Sequence, residues 1–342
     1  MTALFLVLLM TNPGQGTFSI CAFDPETGEL GITVASRVLD AGYVVPWLKA
    51  GVGAVASQAL SNPFLGPWGL DELAQGKPAE EALKNVLALD SAFENRQIGI
   101  VDKDGRSAAF TGKKCNAWAG HKTGTNYTVQ GNILTGPEVV DSMAAAFERA
   151  TGPLGERLLA ALEAGEKAGG DKRGKQSAAL YVVVHRGGYL GADDRLVDLK
   201  VVDNTAPVQE LRRLYELWQY AFMAPAYIRL SDEVKSGGDR YLAKAYDLLI
   251  KAQKSGLENA EVFNSLAWEF ATRKKYPRET ILAALTAHEL APDDPNIMDT
   301  VAESYYANAE YDNAILWETR ALKLDPQNEF FKEQLKKFKE RK

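Results

Sequence analysis

The chain has 342 residues, 46% of them hydrophobic, and a formal net charge of −6 from 39 basic and 45 acidic side chains. This length suits two domains or three with a sizeable core, and the charge balance gives no argument for a nucleic-acid partner, which would favour a basic face. Two cysteines, Cys21 and Cys115, make no disulfide framework and no CxxC site, and His121, His185 and His288 form no HExxH pattern, so no metal and no cofactor is expected.

The chain opens on a short apolar run, Ala3-Leu4-Phe5-Leu6-Val7-Leu8-Leu9-Met10, followed by Gly14-Gln15-Gly16. That run has signal-peptide length and is far short of a membrane span, and Gly14 and Gly16 fit the small-x-small cleavage pattern. The basic residues that normally precede such a run are missing; a self-cleaved propeptide or a start codon placed too early also fits. Export to the periplasm or outside is the expectation, with a cytoplasmic protein if the start is wrong.

Residues 18–23 read as a strand, Asp24-Pro25-Glu26-Thr27-Gly28-Glu29 as a tight turn, and residues 30–37 as the returning strand. Residues 51–58 form an apolar, glycine-rich strand, the glycines suggesting close backbone approach. Two helices follow at 69–75 and 78–89, then strands at 96–101, 107–110 and 127–130. Helices are expected at 137–150 and 153–164, then the loop Gly169-Gly170-Asp171-Lys172-Arg173-Gly174-Lys175, then strands at 177–185 and 195–202. Strands and helices come in blocks rather than in regular alternation. A doubly wound parallel sheet is therefore disfavoured, and an α+β arrangement of two mostly antiparallel sheets with helices outside fits better.

From about residue 207 the composition turns helical. Leu290-Ala291-Pro292-Asp293 recurs as Leu324-Asp325-Pro326-Gln327, with the prolines 34 residues apart, the tetratricopeptide period. Ala302, Tyr305, Tyr306, Tyr311, Ala314, Ala321 and Pro326 fall where paired helices need small, aromatic and proline residues, and Leu266, Ala267, Phe270, Tyr276, Ala283 and Ala284 stand similarly in the preceding unit. The expected division is a leader or propeptide over 1–16, an α+β domain over 17–205, a helical linker over 206–240 and tetratricopeptide-like helices over 241–342.

Thr17 follows Gly16 directly. If the chain is cut between them, the Thr17 hydroxyl and a free α-amine share one residue, and that amine can accept the hydroxyl proton where an amide nitrogen cannot. With a pKa of roughly 7.7–8.0, about a sixth of such amines or fewer are neutral at pH 7, and a nearby cation raises that share. Without a cut, Thr17 is a β-branched residue opening a strand.

The stretches Thr17-Phe18-Ser19-Ile20, Asp24 to Gly31, Val34-Ala35-Ser36-Arg37, Ala50 to Gln58, Gln130-Gly131-Asn132-Ile133-Leu134 and Gly169 to Ala179 together resemble an uncharacterised, mostly bacterial domain-of-unknown-function family. The family in turn resembles the N-terminal-nucleophile (Ntn) hydrolases, which implies a four-layer αββα sandwich and Thr17 as nucleophile. Its typical members carry this threonine directly after the initiator methionine, so the leader here must be removed.

Proteasome-type Ntn hydrolases cut their own chain at a Gly-Thr bond, as Gly16-Thr17 is, and hold a lysine on a nearby strand. Lys49 stands at a comparable distance here and would depress the amine pKa; the alternative is a surface lysine. The resemblance likewise implies Asp171 and Ser177 as an orienting pair, with a solvated loop carboxylate as the alternative for Asp171. The strand end at Ser57 and Gln58 lies near the implied oxyanion site, and Asn132 is a polar contact to substrate or a turn residue. Where that type has an acid before Ser36-Arg37, this chain has Ala35. The expected function is hydrolysis of a small amide or short peptide, with a helical module docking a partner protein. The alternative is an inactive Ntn-fold scaffold acting through its helices.

Overall fold

The computed structural model describes residues 16–234 and 237–341. The leader or propeptide expected over residues 1–16 lies, apart from Gly16, outside the described residues. The chain divides after Tyr215 into two compact units.

The first unit is organised around a hairpin of β1 (Thr17–Asp24) and β2 (Glu29–Ser36), whose register runs from Thr17 opposite Ser36 to Asp24 opposite Glu29. Its turn is fixed locally. Asp24 Oδ1 accepts the Glu26 N–H at 3.0 Å, Asp24 O accepts the Gly28 N–H at 2.8 Å, and Gly28 sits at φ +75°. That left-handed conformation costs a residue with a β-carbon about 1–2 kcal/mol.

Eight more strands complete two sheets: β3 (Pro46–Lys49), β4 (Gly53–Ala59), β5 (Arg96–Asp102), β6 (Ser107–Thr111), β7 (Gly120–Gly124), β8 (Tyr127–Asn132), β9 (Ser177–Val183) and β10 (Arg195–Val201). The first sheet has the order β10-β9-β2-β1-β8-β7 and the second β3-β4-β5-β6. Every named pairing is antiparallel.

The central strands are covered on both faces, so their sequences run apolar with little alternation. On one face of the first sheet lie α4 (Glu138–Arg149) and α5 (Leu154–Lys167). On its other face Cys21, Ile32 and Val34 pack with Ala54, Ala56 and Val101 of the second sheet. The outer face of the second sheet carries α2 (Leu65–Ala74) and α3 (Ala79–Ala88), with Leu65, Leu73, Ala82 and Val86 against Val55, Ile98 and Ile100. The expected pair of antiparallel sheets with outer helices is thus present.

Three short elements were not expected from the sequence: β3, β7 and α1 (Ala41–Val44). Gly120-His121-Lys122-Thr123-Gly124 has low strand propensity and forms β7 only by pairing with β8 at the sheet edge.

Helix α6 (Pro207–Trp218) spans the division, and the second unit continues with α7 (Ala224–Glu233), α8 (Gly238–Ser255), α9 (Ala260–Thr272), α10 (Pro277–Leu290), α11 (Pro295–Ala307), α12 (Tyr311–Leu324) and α13 (Glu329–Glu340). Helix starts are set by side-chain caps: Asn259, Asp294 and Asn328 accept the N–H groups of Val262, Asn296 and Phe331. Pro277 and Tyr311, which open α10 and α12, are 34 residues apart, as are Pro295 and Glu329, which open α11 and α13. Buried Ala267, Ala283, Ala302, Ala314 and Ala321 let neighbouring helices approach. Among the described residues no helix is long and apolar enough to cross a membrane.

Three buried carboxyl groups meet where α11, α12 and α13 pack: Asp299, Glu303 and Glu318. Lys337 Nζ lies 2.5 Å from Glu303 Oε2, and Gln334 Nε2 donates to the same oxygen at 3.1 Å. Both Glu318 oxygens are buried without a hydrogen bond of good geometry. One ammonium cannot balance three carboxylates in a low-dielectric interior. Burial, reinforced by the Asp299 charge, pushes the Glu318 carboxyl well above the usual carboxylate range; burial also raises Asp299.

A carboxyl raised in the folded state binds its proton more tightly there than in the unfolded chain. Its contribution is fully present below the unfolded value of about 4.3 and is lost as pH rises toward the folded value. Glu318→Gln, which keeps the shape and removes the titration, is expected to stabilise the protein at about pH 8 and to flatten the loss of stability between about pH 5 and pH 8. Urea denaturation of both proteins across that range checks this.

Candidate active site

The hairpin register places Thr17 at the end of β1, between Ser36 of β2 and Asn132 of β8. Thr17 is 2% exposed. Its Oγ1 lies 3.0 Å from Ser36 Oγ. The Ser36 hydroxyl donates its one proton to the carbonyl oxygen of Gly16. The Thr17 hydroxyl therefore donates to Ser36 Oγ, giving a short chain of polarised groups that ends on the Gly16 carbonyl.

A second donor reaches that oxygen: Arg173 Nη2, at 2.9 Å. Arg173 is aimed by Asp171. The Asp171 carboxylate accepts four hydrogen bonds, from the Arg173 N–H and Nε at 2.9 and 3.1 Å on Oδ1, and from the Arg37 N–H and Arg173 Nη2 at 2.9 and 2.7 Å on Oδ2. The Asp171 side chain is 1% exposed, while that of Arg173 is 26% exposed. The same carboxylate lies against the Gly16 α-carbon: a β-carbon built there would stand 2.5 Å from Oδ1 and 2.7 Å from Oδ2. Only glycine fits before Thr17. A cavity of about 70 Å³ adjoins this cluster, lined by Phe18, Ser36, Gly170, Asp171, Ser177 and Pro207 among others, with room for a few water molecules.

Beneath β1 a polar layer joins the two sheets. Gln58 Nε2 donates to Thr17 O at 3.3 Å and to Gln97 Oε1 at 2.9 Å, and Gln58 Oε1 accepts the Ser19 hydroxyl at 2.7 Å. Asn132 Nδ2 donates to Gln97 Oε1 at 3.0 Å. Gln97 Nε2 in turn donates to the Gly131 and Gly120 carbonyls at 2.8 and 3.0 Å, and Gln130 Nε2 to Ser19 Oγ at 2.6 Å. Ser19, Gln58, Gln97, Gln130 and Asn132 are all buried. Such a network is tolerated inside a core because every member has partners, and it fixes the level of Thr17 against β8.

Of the residues singled out in the sequence, Thr17, Asp171, Gln58 and Asn132 therefore gather at the end of β1. Ser177 lies opposite Ser36 on the far side of β2, accepts the Ala41 N–H at 3.0 Å and donates to Val38 O at 2.7 Å. It anchors the segment after β2 and does not touch Thr17. Ser57 is buried in β4, and its N–H is given to Val45 O at 3.1 Å. Lys49 is exposed at the end of the edge strand β3, opposite Gly53; its carbonyl accepts the Val52 N–H at 3.1 Å, and its ammonium has no ion-pair partner among the described residues. Ser36, Arg173 and Gln97 were not singled out. Ser36 and Arg173 sit in motifs that the sequence displays, Val34-Ala35-Ser36-Arg37 and Gly169 to Lys175, but only folding brings these together.

A family model described as a family of unknown function, DUF1028, matches residues 17–211. The chain belongs to this family. The crystal structure of a protein from Silicibacter pomeroyi, described as DUF1028, is similar at 33% identity and a TM-score of 0.55, covering 60% of this chain and 86% of that one. No curated protein matches. The family match begins at Thr17 and ends before the helices of the second unit, so the Gly16–Thr17 junction is also the edge of the family domain.

Gln97→Leu removes the acceptor of Gln58 and Asn132 and the donor to two backbone carbonyls. Each buried group left unpaired costs about 1–3 kcal/mol. The expected loss is at least about 2 kcal/mol in urea unfolding, well beyond that of an exposed substitution such as Lys49→Leu.

Proposed function

We propose that this member of DUF1028 is an Ntn-type amidohydrolase whose nucleophile, Thr17, is exposed by cleavage of the Gly16–Thr17 bond, and that the chain makes this cut itself. The observation that carries the reading is the double donation to the Gly16 carbonyl by the Ser36 hydroxyl and the Arg173 guanidinium, beside the Thr17 hydroxyl. Two donors on a carbonyl oxygen stabilise the negative charge that builds there during attack.

In this mechanism Thr17 Oγ1 attacks the Gly16 carbonyl carbon, its proton passing to Ser36 Oγ as the Ser36 hydroxyl hands its own to the Gly16 oxygen. As the carbonyl re-forms, that proton returns through Ser36 to the Thr17 nitrogen, the carbon–nitrogen bond breaks, and an ester links Gly16 to Thr17 Oγ1. Water, for which the adjoining cavity has room, hydrolyses the ester. The leader departs as a carboxylate and Thr17 is left with hydroxyl and amine on one residue. The same residue then attacks an external amide, its amine serving as base. Lys49, exposed and distant in the register from Thr17, has no part in this reading. In the helical unit, the 34-residue recurrence of helix starts supports a tetratricopeptide-like docking module.

A second reading, an inactive sandwich that serves the helical module, is favoured by one observation: Lys49, the lysine that would lower the amine pKa in the proteasome manner, is exposed at the end of the edge strand β3. The two readings separate cleanly. Intact-mass analysis is expected to show the wild-type chain shortened by Met1 to Gly16 and Thr17→Ala retaining them. Gly16→Ala is expected to block the cut, whereas a signal peptidase accepts alanine at that position. Labelling by a β-lactone probe is expected in wild type and absent in Thr17→Ala. Wild-type protein that keeps its leader and reacts with no such probe has no free amine, and the scaffold reading then stands.

A further inference from the structure

We propose that the seat occupied by Gly16 is the acyl subsite of the processed enzyme and that it selects glycyl amides over amides of L-residues bearing a side chain. This rests on Thr17 acting as the nucleophile. Once Gly16 has moved onto Thr17 Oγ1, it is an acyl group esterified to the enzyme. Every later acyl-enzyme is the same ester with another acyl group in that place. The groups around Gly16 are therefore the groups that meet a substrate's acyl half.

Those groups are specific. The acyl oxygen meets two donors, Ser36 Oγ and Arg173 Nη2, the latter at 2.9 Å. The α-carbon meets a carboxylate. An L-side chain would begin 2.5 Å from Asp171 Oδ1, 2.6 Å from its Cγ and 2.7 Å from Oδ2. These are inside van der Waals contact, so either the side chain or Asp171 must move. Asp171 is not a flexible tip that swings aside. Its oxygens are held by two backbone N–H groups and two guanidinium nitrogens. Its side chain is 1% exposed. Moving it would unmake the contact that aims Arg173 at the acyl oxygen. A branched L-acyl group thus costs both packing and oxyanion stabilisation, while a hydrogen costs neither.

The reaction balances without another reagent. Thr17 Oγ1 bonds to the acyl carbon, the amide carbon–nitrogen bond breaks, and the amine leaves with the threonine proton passed through the α-amine. Water then splits the ester, its hydroxyl going to the acid and its hydrogen to the threonine oxygen.

The test uses the processed full chain with N-acetylglycyl, N-acetyl-L-alanyl and N-acetyl-L-leucyl 7-amido-4-methylcoumarin. The glycyl compound is expected to exceed the alanyl one in kcat/KM by at least about tenfold, with the leucyl one lower still. The variants are made on a chain that begins Met-Thr17, so that removal of the methionine exposes the threonine without the self-cut. Ser36→Ala is then expected to lower kcat on the glycyl compound about a hundredfold with little change in KM. Asp171→Ser is expected to narrow the glycyl-to-alanyl ratio; should that variant not fold, the wild-type ratio decides alone. Equal turnover of glycyl and alanyl compounds overturns the subsite and leaves the hydrolase. So does a lack of glycyl turnover in protein whose Thr17 still reacts with a β-lactone. Loss of that labelling together with all turnover removes the hydrolase as well.

Discussion

The buried carboxylate of Asp171 is the contact on which the end of the first sheet depends. It sits in the loop before β9, yet it ties down the backbone after β2 through the Arg37 N–H and orients Arg173 through the guanidinium. A carboxylate this deeply buried is costly unless fully hydrogen-bonded, and four donors meet that demand. In return it brings three distant stretches, at Gly16, Ser36 and Arg173, to one point. Removing Asp171 would leave Arg173 without direction and the seat at Gly16 without a wall.

The space between the two sheets changes character along β1. Farther from Thr17 it is filled by Cys21, Ile32, Ala54 and Val101, a dry core whose burial drives assembly. Near Thr17 it becomes amide and hydroxyl: Ser19, Gln58, Gln97, Gln130 and Asn132. Hydrophobic packing is non-directional, so it sets sheet spacing and leaves small sliding motions open. A closed hydrogen-bond network permits one register. Polar residues under the candidate site thus hold Thr17 in place where apolar ones would only bury it.

The helical unit follows a different logic. Its helices start at Asn, Asp and Pro signals and approach through alanines, so most of its form is local. The exception is the meeting of Asp299, Glu303 and Glu318 with Lys337, four ionisable groups from three helices. There burial forces a proton onto a carboxyl that in water would be charged.

Much of this was written in the sequence. The block order of strands and helices specified two antiparallel sheets, because apolar runs of strand length, bounded by Pro and Gly turns, leave few other ways to bury themselves. The 34-residue recurrence specified repeating helix starts for the same local reasons. Thr17, Asp171, Gln58 and Asn132 were recognisable as residue types able to do chemistry. Their meeting was not recognisable, nor was the share of Ser36, Arg173 and Gln97, since strand pairing and side-chain hydrogen bonds join positions 19 to 157 residues apart and spacing along the chain carries no trace of it. Lys49 illustrates the limit: the resemblance to proteasome-type hydrolases put a lysine near Thr17, but here an edge strand carries Lys49 to solvent. Local sequence determined the elements and their caps through backbone and propensity. Only tertiary structure decided which side chains share a point in space, because burial and hydrogen bonding across strands, not sequence separation, set those distances.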